Sequence, residues 1–327
     1  MKDIAGLKIA LLGVSHWHVP LYLEGLPKNS VVAVSDENAR IADQFANALN
    51  CTAYTDYREL LSEKQPDFVF AFAPHCEMKQ MANDLLDRKI PFSIEKPAGL
   101  NAGEVEQLYE KAEQLGAFCA IPFVWRYSDT VNDLKKKYLT SDILHMSYKF
   151  VAGPPTRYLN TSKWMLSCEQ AGGGCMTNLG VHFIDMALFL TDSKCADTLA
   201  SIYQYGSEYN IETYASSMLR METGASFLLE SGYAYPMSEE SKRENRWTIV
   251  TKNGYYILAE NSLSIREYGR EPEQVFINTD SDVYYPVFAR TTLSDFVSGT
   301  RPRASLKEML AVRQILDEMN RKAGMRF

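Results

Sequence analysis

Hydrophobic and polar positions follow two textures along the chain. In the first third, short and nearly continuous apolar runs (LKIALLGV, SVVAVSD, FVFAFAP, PFSIEK and AFCAIPF) are separated by NARIADQFANAL, RELLSE, EMKQMANDLLDRK and AGEVEQLYEKAEQLG. Such runs are typical of parallel strands buried on both faces, and the stretches between them read as helices. Strand–helix alternation with short connections predicts a doubly wound parallel sheet over residues 1–122. Right-handed crossovers then line the strand C-terminal ends along one edge, where ligands bind.

After about residue 122 the texture changes. A helix, SDTVNDLKKKYL, leads to a strand, ILHMSYKFVAG, then to a loop rich in Pro, Gly and Trp and to the helix CMTNLGVHFIDMALFLT. Closely spaced strands follow: TLASIYQYG, IETYASSMLRME, ASFLLESGYAY, RWTIVTKNGYYILAEN, SLSIREYG and EQVFINT, with ETGA and KNGY as hairpin turns. The fold class is therefore α/β, with a C-terminal α+β domain over 123–327 built on a large, mostly antiparallel open sheet. The tail is helical again, and its helix at about 304–322 is expected to pack back on the first domain.

Composition narrows the picture. The chain has 327 residues, too many for one ordinary core, and a net charge of −7, which argues against a nucleic-acid partner. No apolar run approaches the roughly 20 residues of a membrane span, and the N-terminal apolar patch is too short and too early for a secretion signal. Six scattered cysteines without a C-x-x-C pair fit free thiols in a reducing cytoplasm.

Candidate chemistry begins at ALLGVSHWHVP, where an apolar strand turns into a helix. Gly13 stands where a dinucleotide-binding fingerprint has its first glycine, while Ser15 and His18 replace the other two small residues. Ser15 can still donate a hydroxyl, and backbone N–H groups at such a turn suit a pyrophosphate. Asp36 ends the second strand 23 residues after Gly13. A carboxylate there accepts both hydrogen bonds of an adenosine ribose, which favours NAD over NADP, although Arg40 is close by; alternatively, Asp36 only caps the following helix. His16, Trp17 and His18 read as loop packing and phosphate donors, because two histidines at i, i+2 without a visible third ligand do not make a metal site.

Two further segments carry titratable groups. Glu95 and Lys96 end a buried strand and Pro97 stops it, so Lys96 is placed to hold a substrate hydroxyl and shuttle its proton; the alternative is a surface Lys–Glu pair. In GGGCMTNLGVHFIDMALFL, Asn178, His182 and Asp185 fall at i, i+4 and i+7, a polar stripe on an apolar helix. His182 reads as a general acid/base with Asn178 orienting the substrate, or as a core histidine held by Asp185. Gly172, Gly173 and Gly174 read as a flexible lead-in to that helix. Abundant tyrosines in the sheet region, Tyr203, Tyr205, Tyr209, Tyr214, Tyr233, Tyr235, Tyr255 and Tyr256, suit either a subunit interface or plain β-propensity.

Taken in order, KIALLGV with its turn, VVAVSD, FVFAFAP, IEKPAGLNAGEVEQL, PFVWRYSDTVNDLKK and GGGCMTNLGVHFIDMALFL resemble the Gfo/Idh/MocA oxidoreductases, typified by glucose-fructose oxidoreductase and inositol dehydrogenase. The resemblance runs through almost the whole chain and implies a Rossmann domain followed by an α/β domain whose open sheet often serves oligomerisation. It makes Lys96 the active-site lysine and His182 the histidine acting on the substrate hydroxyl. Asn178 falls where many members have an aspartate. Arg126 lies in the segment lining the substrate and nicotinamide pocket, and Pro74 and His75 resemble the turn flanking the cofactor, with Met78 in place of its usual histidine. The implied function is NAD-dependent oxidation of a sugar, polyol or sugar derivative, with Lys96 and His182 expected to meet beside the nicotinamide. The alternatives are an NAD-dependent non-redox enzyme, such as one cleaving glycosides through transient oxidation, and a non-catalytic sensor or partner subunit. The expected partners are a small-molecule substrate and further copies of the chain, as a cytoplasmic dimer or tetramer, with no metal, nucleic acid or membrane.

Overall fold

The computed structural model describes residues 3–138, 143–206, 208–236, 238 and 242–325. Leu139, at the end of one expected helix, lies outside them. The chain up to Pro122 folds together with Asp282–Leu310, and Phe123–Ser281 folds together with the segment from Ala311 onward.

In the first unit six parallel strands, β1 (Ile9–Leu12), β2 (Val31–Ser35), β3 (Thr52–Tyr54), β4 (Phe68–Ala71), β5 (Phe92–Ile94) and β6 (Cys119–Ala120), line up in the order β3-β2-β1-β4-β5-β6. This is the dinucleotide-fold order, with its switch point between β1 and β4. Every residue of β1, β4 and β5 is buried, as their unbroken apolar runs predict. The helices between them are α1 (Val19–Leu23), α2 (Ala39–Leu49), α3 (Tyr57–Lys64), α4 (His75–Asp87) and α5 (Ala102–Leu115). Their ends are set locally. Asn38 and Asn101 accept the Arg40 and Glu104 amides as N-caps, and α5 stops at Gly116 in the left-handed region. The helix α9 (Tyr285–Ser298) completes this unit, its Phe288 packing edge-on against Tyr22.

The second unit holds an eight-stranded sheet: β7 (Ile143–Ala152), β8 (Cys195–Tyr205), β9 (Glu212–Met221), β10 (Ser226–Gly232), β11 (Arg243–Thr251), β12 (Gly254–Ala259), β13 (Ser262–Glu267) and β14 (Glu273–Phe276). Their order is β14-β13-β12-β11-β7-β10-β9-β8, antiparallel throughout except where β7 pairs with β10. Strict alternation sends Met146, Tyr148, Leu219, Phe227, Leu229, Trp247 and Ile249 into the core. The opposite face leaves Ile202, Met218, Leu228 and Tyr255 in solvent. Of the tyrosines, Tyr203, Tyr233 and Tyr256 are buried in their own unit, so they are not interface residues; Tyr205 and Tyr255 are exposed.

Helices α6 (Asp129–Tyr138), α7 (Cys168–Ala171) and α8 (Val181–Thr191) belong here, α8 being preceded by a π-helical turn, Met176–Gly180. By length and composition alone the stretch Cys168–Thr191 is apolar enough to cross a membrane, although its helical run is interrupted at residues 172–174. It is mostly buried in the protein, as a core helix is. The last helix, α10 (Leu306–Lys322), does not pack as a whole on the first domain. Its first turn, to Leu310, belongs with the first unit; beyond it the helix joins the second, where Tyr203 donates to Asn320 at 2.8 Å.

Candidate active site

The turns after β1, β2, β4 and β5 share one edge of the parallel sheet, and the candidate residues of the first domain stand there. Gly13 closes the first turn with φ +75°, and a Cβ on it would lie 2.0 Å from the Phe72 carbonyl oxygen. The close approach of β1 and β4 therefore demands this glycine before any ligand does. Asp36 does not cap α2, since Asn38 does. Instead its Oδ2 accepts the Ser15 amide at 2.7 Å and its Oδ1 the Asn38 amide at 3.0 Å, tying the first loop to the end of β2.

His18 replaces a small residue because a polar network fills the space. Its Nδ1 pairs with Glu95 Oε1 at 3.0 Å, and Tyr22 donates to the same oxygen at 2.8 Å. His16 Nδ1 accepts the His18 amide at 3.2 Å, and its ring stacks on Trp17 at 3.9 Å. Burial, and then the neighbouring His18, holds the His16 pKa well below the ordinary histidine value. A neutral ring accepting at Nδ1 carries its proton on Nε2. Burial alone would raise the Glu95 carboxyl, but the charge and hydrogen bond of His18, with Lys96 behind them, outweigh it and hold Glu95 ionised. Donor atoms of His16, His18 and Glu95 lie within 4.8 Å of one another. Glu95 is thus the third potential ligand that local spacing did not reveal.

The loop is bonded within itself. The Ser15, His16, His18 and Val19 amides go to Asp36, Gly13, His16 and His16 respectively. The helix beyond has five residues. Lys96, 3% exposed at the end of β5, is buried rather than a surface residue, and His75, also buried, opens α4 behind Pro74.

In the second unit the polar stripe resolves into separate environments. Arg126 meets Asp185 as a bidentate pair, Nε–Oδ2 2.9 Å and Nη2–Oδ1 2.7 Å, with Asp185 1% exposed. The guanidinium also lies 4.9 Å over the Phe189 ring. Asp185 therefore holds Arg126, and the Arg126 fork is engaged by protein. Asn178, inside the π-helical turn, donates from Nδ2 to Tyr158 Oη at 2.9 Å and to Tyr233 Oη at 3.0 Å. His182, half-buried one turn on, sits edge-on to Phe123 with ring centroids 6.3 Å apart.

The residue that sequence reading missed is Glu212. It is fully buried at the start of β9, where Oε2 accepts the Gly174 amide at 2.6 Å and Oε1 the Met176 amide at 2.9 Å. The glycines before the helix serve this approach. A Cβ on Gly174 would lie 2.1 Å from the Glu212 carbonyl oxygen, and one on Gly173 would lie 2.3 Å from Thr177 Oγ1. The segment is a packed joint rather than a flexible lead-in.

Two family descriptions cover most of this architecture. "Oxidoreductase family, NAD-binding Rossmann fold" matches residues 7–123, and "GFO/IDH/MocA C-terminal domain" matches residues 141–257. The chain belongs to the Gfo/Idh/MocA oxidoreductase family. It is similar to the scyllo-inositol 2-dehydrogenase (NAD(+)) of Bacillus subtilis, 21% identical over 77% of this chain and 73% of that one. The D-glucoside 3-dehydrogenase of Escherichia coli is 24% identical over 64% of this chain and 65% of its own. A levoglucosan dehydrogenase structure with NADH and levoglucosan superposes with a TM-score of 0.84 over 97% of both chains at 13% identity, which speaks to the fold. The first domain is thus an NAD-binding Rossmann domain. Its residues fit that cofactor: Asp36 has lone pairs left for a ribose beyond its two amides, and Glu95 Oε2 is buried without a hydrogen-bond partner among the described residues.

Proposed function

We propose that the chain is an NAD-dependent dehydrogenase moving a hydride between nicotinamide and a hydroxyl-bearing carbon of a sugar, polyol or sugar derivative. The observation that carries this reading is Lys96, buried at the C-terminal edge of a sheet in dinucleotide-fold order, directly after an ionised glutamate. NAD supplies the hydride acceptor. Asp36 holds the adenosine ribose, and Gly13, Ser15, His16, Trp17 and His18, with Pro74, His75 and Glu95, form the rest of the cofactor's surroundings. Lys96 holds the substrate oxygen and takes part in moving its proton. His182 shares that acid–base work, because Asn178 in its preceding turn cannot ionise. Arg126 shapes the pocket through its pair with Asp185. The solvent-facing side of the second sheet, with Ile202, Met218, Leu228 and Tyr255, joins copies of the chain into a homo-oligomer.

The test is NAD-dependent turnover of a polyol and sugar panel followed at the nicotinamide absorbance, beside thermal shifts with NAD and NADP. NAD at 100 times its dissociation constant should stabilise the fold by about 2.7 kcal/mol. Lys96→Ala should lower turnover by about 10²–10⁴-fold and leave the melting temperature nearly unchanged. Absence of any shift with either nucleotide would replace this reading with a sensor or partner subunit. Strong unfolding of Lys96→Ala would make Lys96 structural.

A further inference from the structure

Arg157 lies next to the Asn178 network and has no role in the reading above. It stands in the 3-10 turn Pro155–Tyr158, half-buried, with its guanidinium carbon 4.6 Å over the Tyr158 ring and 5.1 Å over the Tyr233 ring. Nη2 donates to Tyr158 Oη at 2.5 Å. That hydroxyl and the Tyr233 hydroxyl are the two that Asn178 contacts, so the cation is one side chain removed from Asn178. Nε is buried without a hydrogen-bond partner, and no carboxylate pairs with this arginine among the described residues.

A guanidinium offers five N–H donors in a planar fork matched to carboxylate and phosphate oxygens. The cation lies over both rings, and apart from the Nη2 bond to Tyr158 its N–H donors meet no protein acceptor among the described residues. Elsewhere in the same unit a partly buried arginine, Arg126, is completed by Asp185. At Arg157 the protein supplies aromatic faces and a hydroxyl but, among the described residues, no counter-charge, which is the arrangement of a cation completed by a ligand.

We propose that Arg157 reads an anionic group, a carboxylate or a phosphate ester, on the substrate. The oxidised sugar or polyol is therefore an acidic one, and this rests on the dehydrogenase reading. The test uses the NAD-supplied protein with matched compounds: D-glucose, D-glucuronate and D-glucose 6-phosphate, then D-galactose and D-galacturonate. Turnover is followed at the nicotinamide absorbance, and binding of the same compounds to NADH-loaded protein by calorimetry. At least one charged member should exceed its neutral partner tenfold or more in kcat/KM and in affinity, and which one it is separates carboxylate from phosphate. Arg157→Gln should lower kcat/KM for that member at least tenfold more than for the neutral one, mainly through KM, and Arg157→Lys should restore part of the difference. A merely structural arginine would lower both members alike. Turnover without charge preference, or a preference that survives Arg157→Gln, overturns the assignment and leaves the dehydrogenase reading standing. Charge-selective binding that Arg157→Gln abolishes, without turnover of any compound, does the reverse. Neither binding nor turnover overturns both.

Discussion

Replacing Glu212 tests whether the joint before α8 is held as tightly as its geometry implies. The two carboxylate oxygens accept buried amides of Gly174 and Met176, and the Thr177 amide adds to their effect on the carboxylate. Glu212→Ala leaves two buried donors without acceptors, at about 1–3 kcal/mol each, so about 2–6 kcal/mol in all. Against a total stability of about 5–15 kcal/mol, that is a shift easily read in a urea titration of tryptophan fluorescence. Glu212→Gln keeps the shape and one acceptor but turns an NH2 donor toward an amide donor, and should cost about half as much. The pH dependence gives a second reading. Burial raises the Glu212 carboxyl, with the amides working against it, so the folded state holds this proton at pH values where the unfolded chain has released it. Its contribution to stability therefore falls as pH rises from the unfolded value toward the folded one, and Glu212→Gln should remove that slope. If Glu212→Ala costs less than about 1 kcal/mol, the net worth of one ordinary hydrogen bond, the joint is not held by this carboxylate.

Asp185→Ala should destabilise by about 3–5 kcal/mol, because it strands the guanidinium of a buried bidentate pair; a calorimetric melt without a marked drop would refute this. Gly13→Ala should prevent stable folding, since the added methyl meets the Phe72 carbonyl at 2.0 Å. Gly116→Ala, also at positive φ but with open space around it, should cost only about 1 kcal/mol, and equal losses in the two would show that φ rather than packing decides. Acidification should lower the melting temperature in two steps. His16 stays neutral in the fold while the unfolded chain takes up its proton below about pH 6.5, and Glu95 stays ionised while the unfolded chain takes up its proton below about pH 4.5. His16→Gln should flatten the upper step, and an unchanged profile would place the titration elsewhere.

What was legible in the sequence depended on the range of the interactions involved. The strand pattern of the first domain was readable because burial on both faces leaves an unbroken apolar run, and the second sheet because burial on one face leaves alternation. Asp36 was readable as a strand-end carboxylate, yet its grip on the Ser15 amide was not, because nothing local distinguishes a ribose ligand from a loop anchor. Glu95 joins His18 across 77 residues, and Glu212 reaches Gly174 across 38, so neither partnership leaves a spacing. Arg157 gave no sign at all, since an arginine after two prolines is an ordinary surface residue until two tyrosine rings close over it.

The glycines show how this matters for mechanism. Read locally, a run of three implies freedom, and freedom before α8 would let Asn178 and His182 adapt to whatever is bound. In place, Gly174 is the residue whose missing side chain lets Glu212 come within hydrogen-bonding range, so the same run produces a fixed turn. Asn178 is then held at both ends, by the Glu212 joint behind it and by the hydroxyls of Tyr158 and Tyr233 at its amide. The first loop follows the same logic with different residues. Where glycines would leave the backbone open to a phosphate, Gly13, His16 and Asp36 consume its amides and set its shape in advance. A loop fixed in this way loses little entropy when NAD binds but offers it fewer unpaired donors. Loosening the loop with Asp36→Ala should therefore weaken NAD on two counts, by removing the proposed ribose acceptor and by releasing the Ser15 amide. Ser15→Ala, which keeps that amide bond, should weaken it far less. Equal losses of affinity in the two variants, read by nucleotide-dependent thermal shift, would mean that the hydroxyl of Ser15 and not the preset backbone governs cofactor binding.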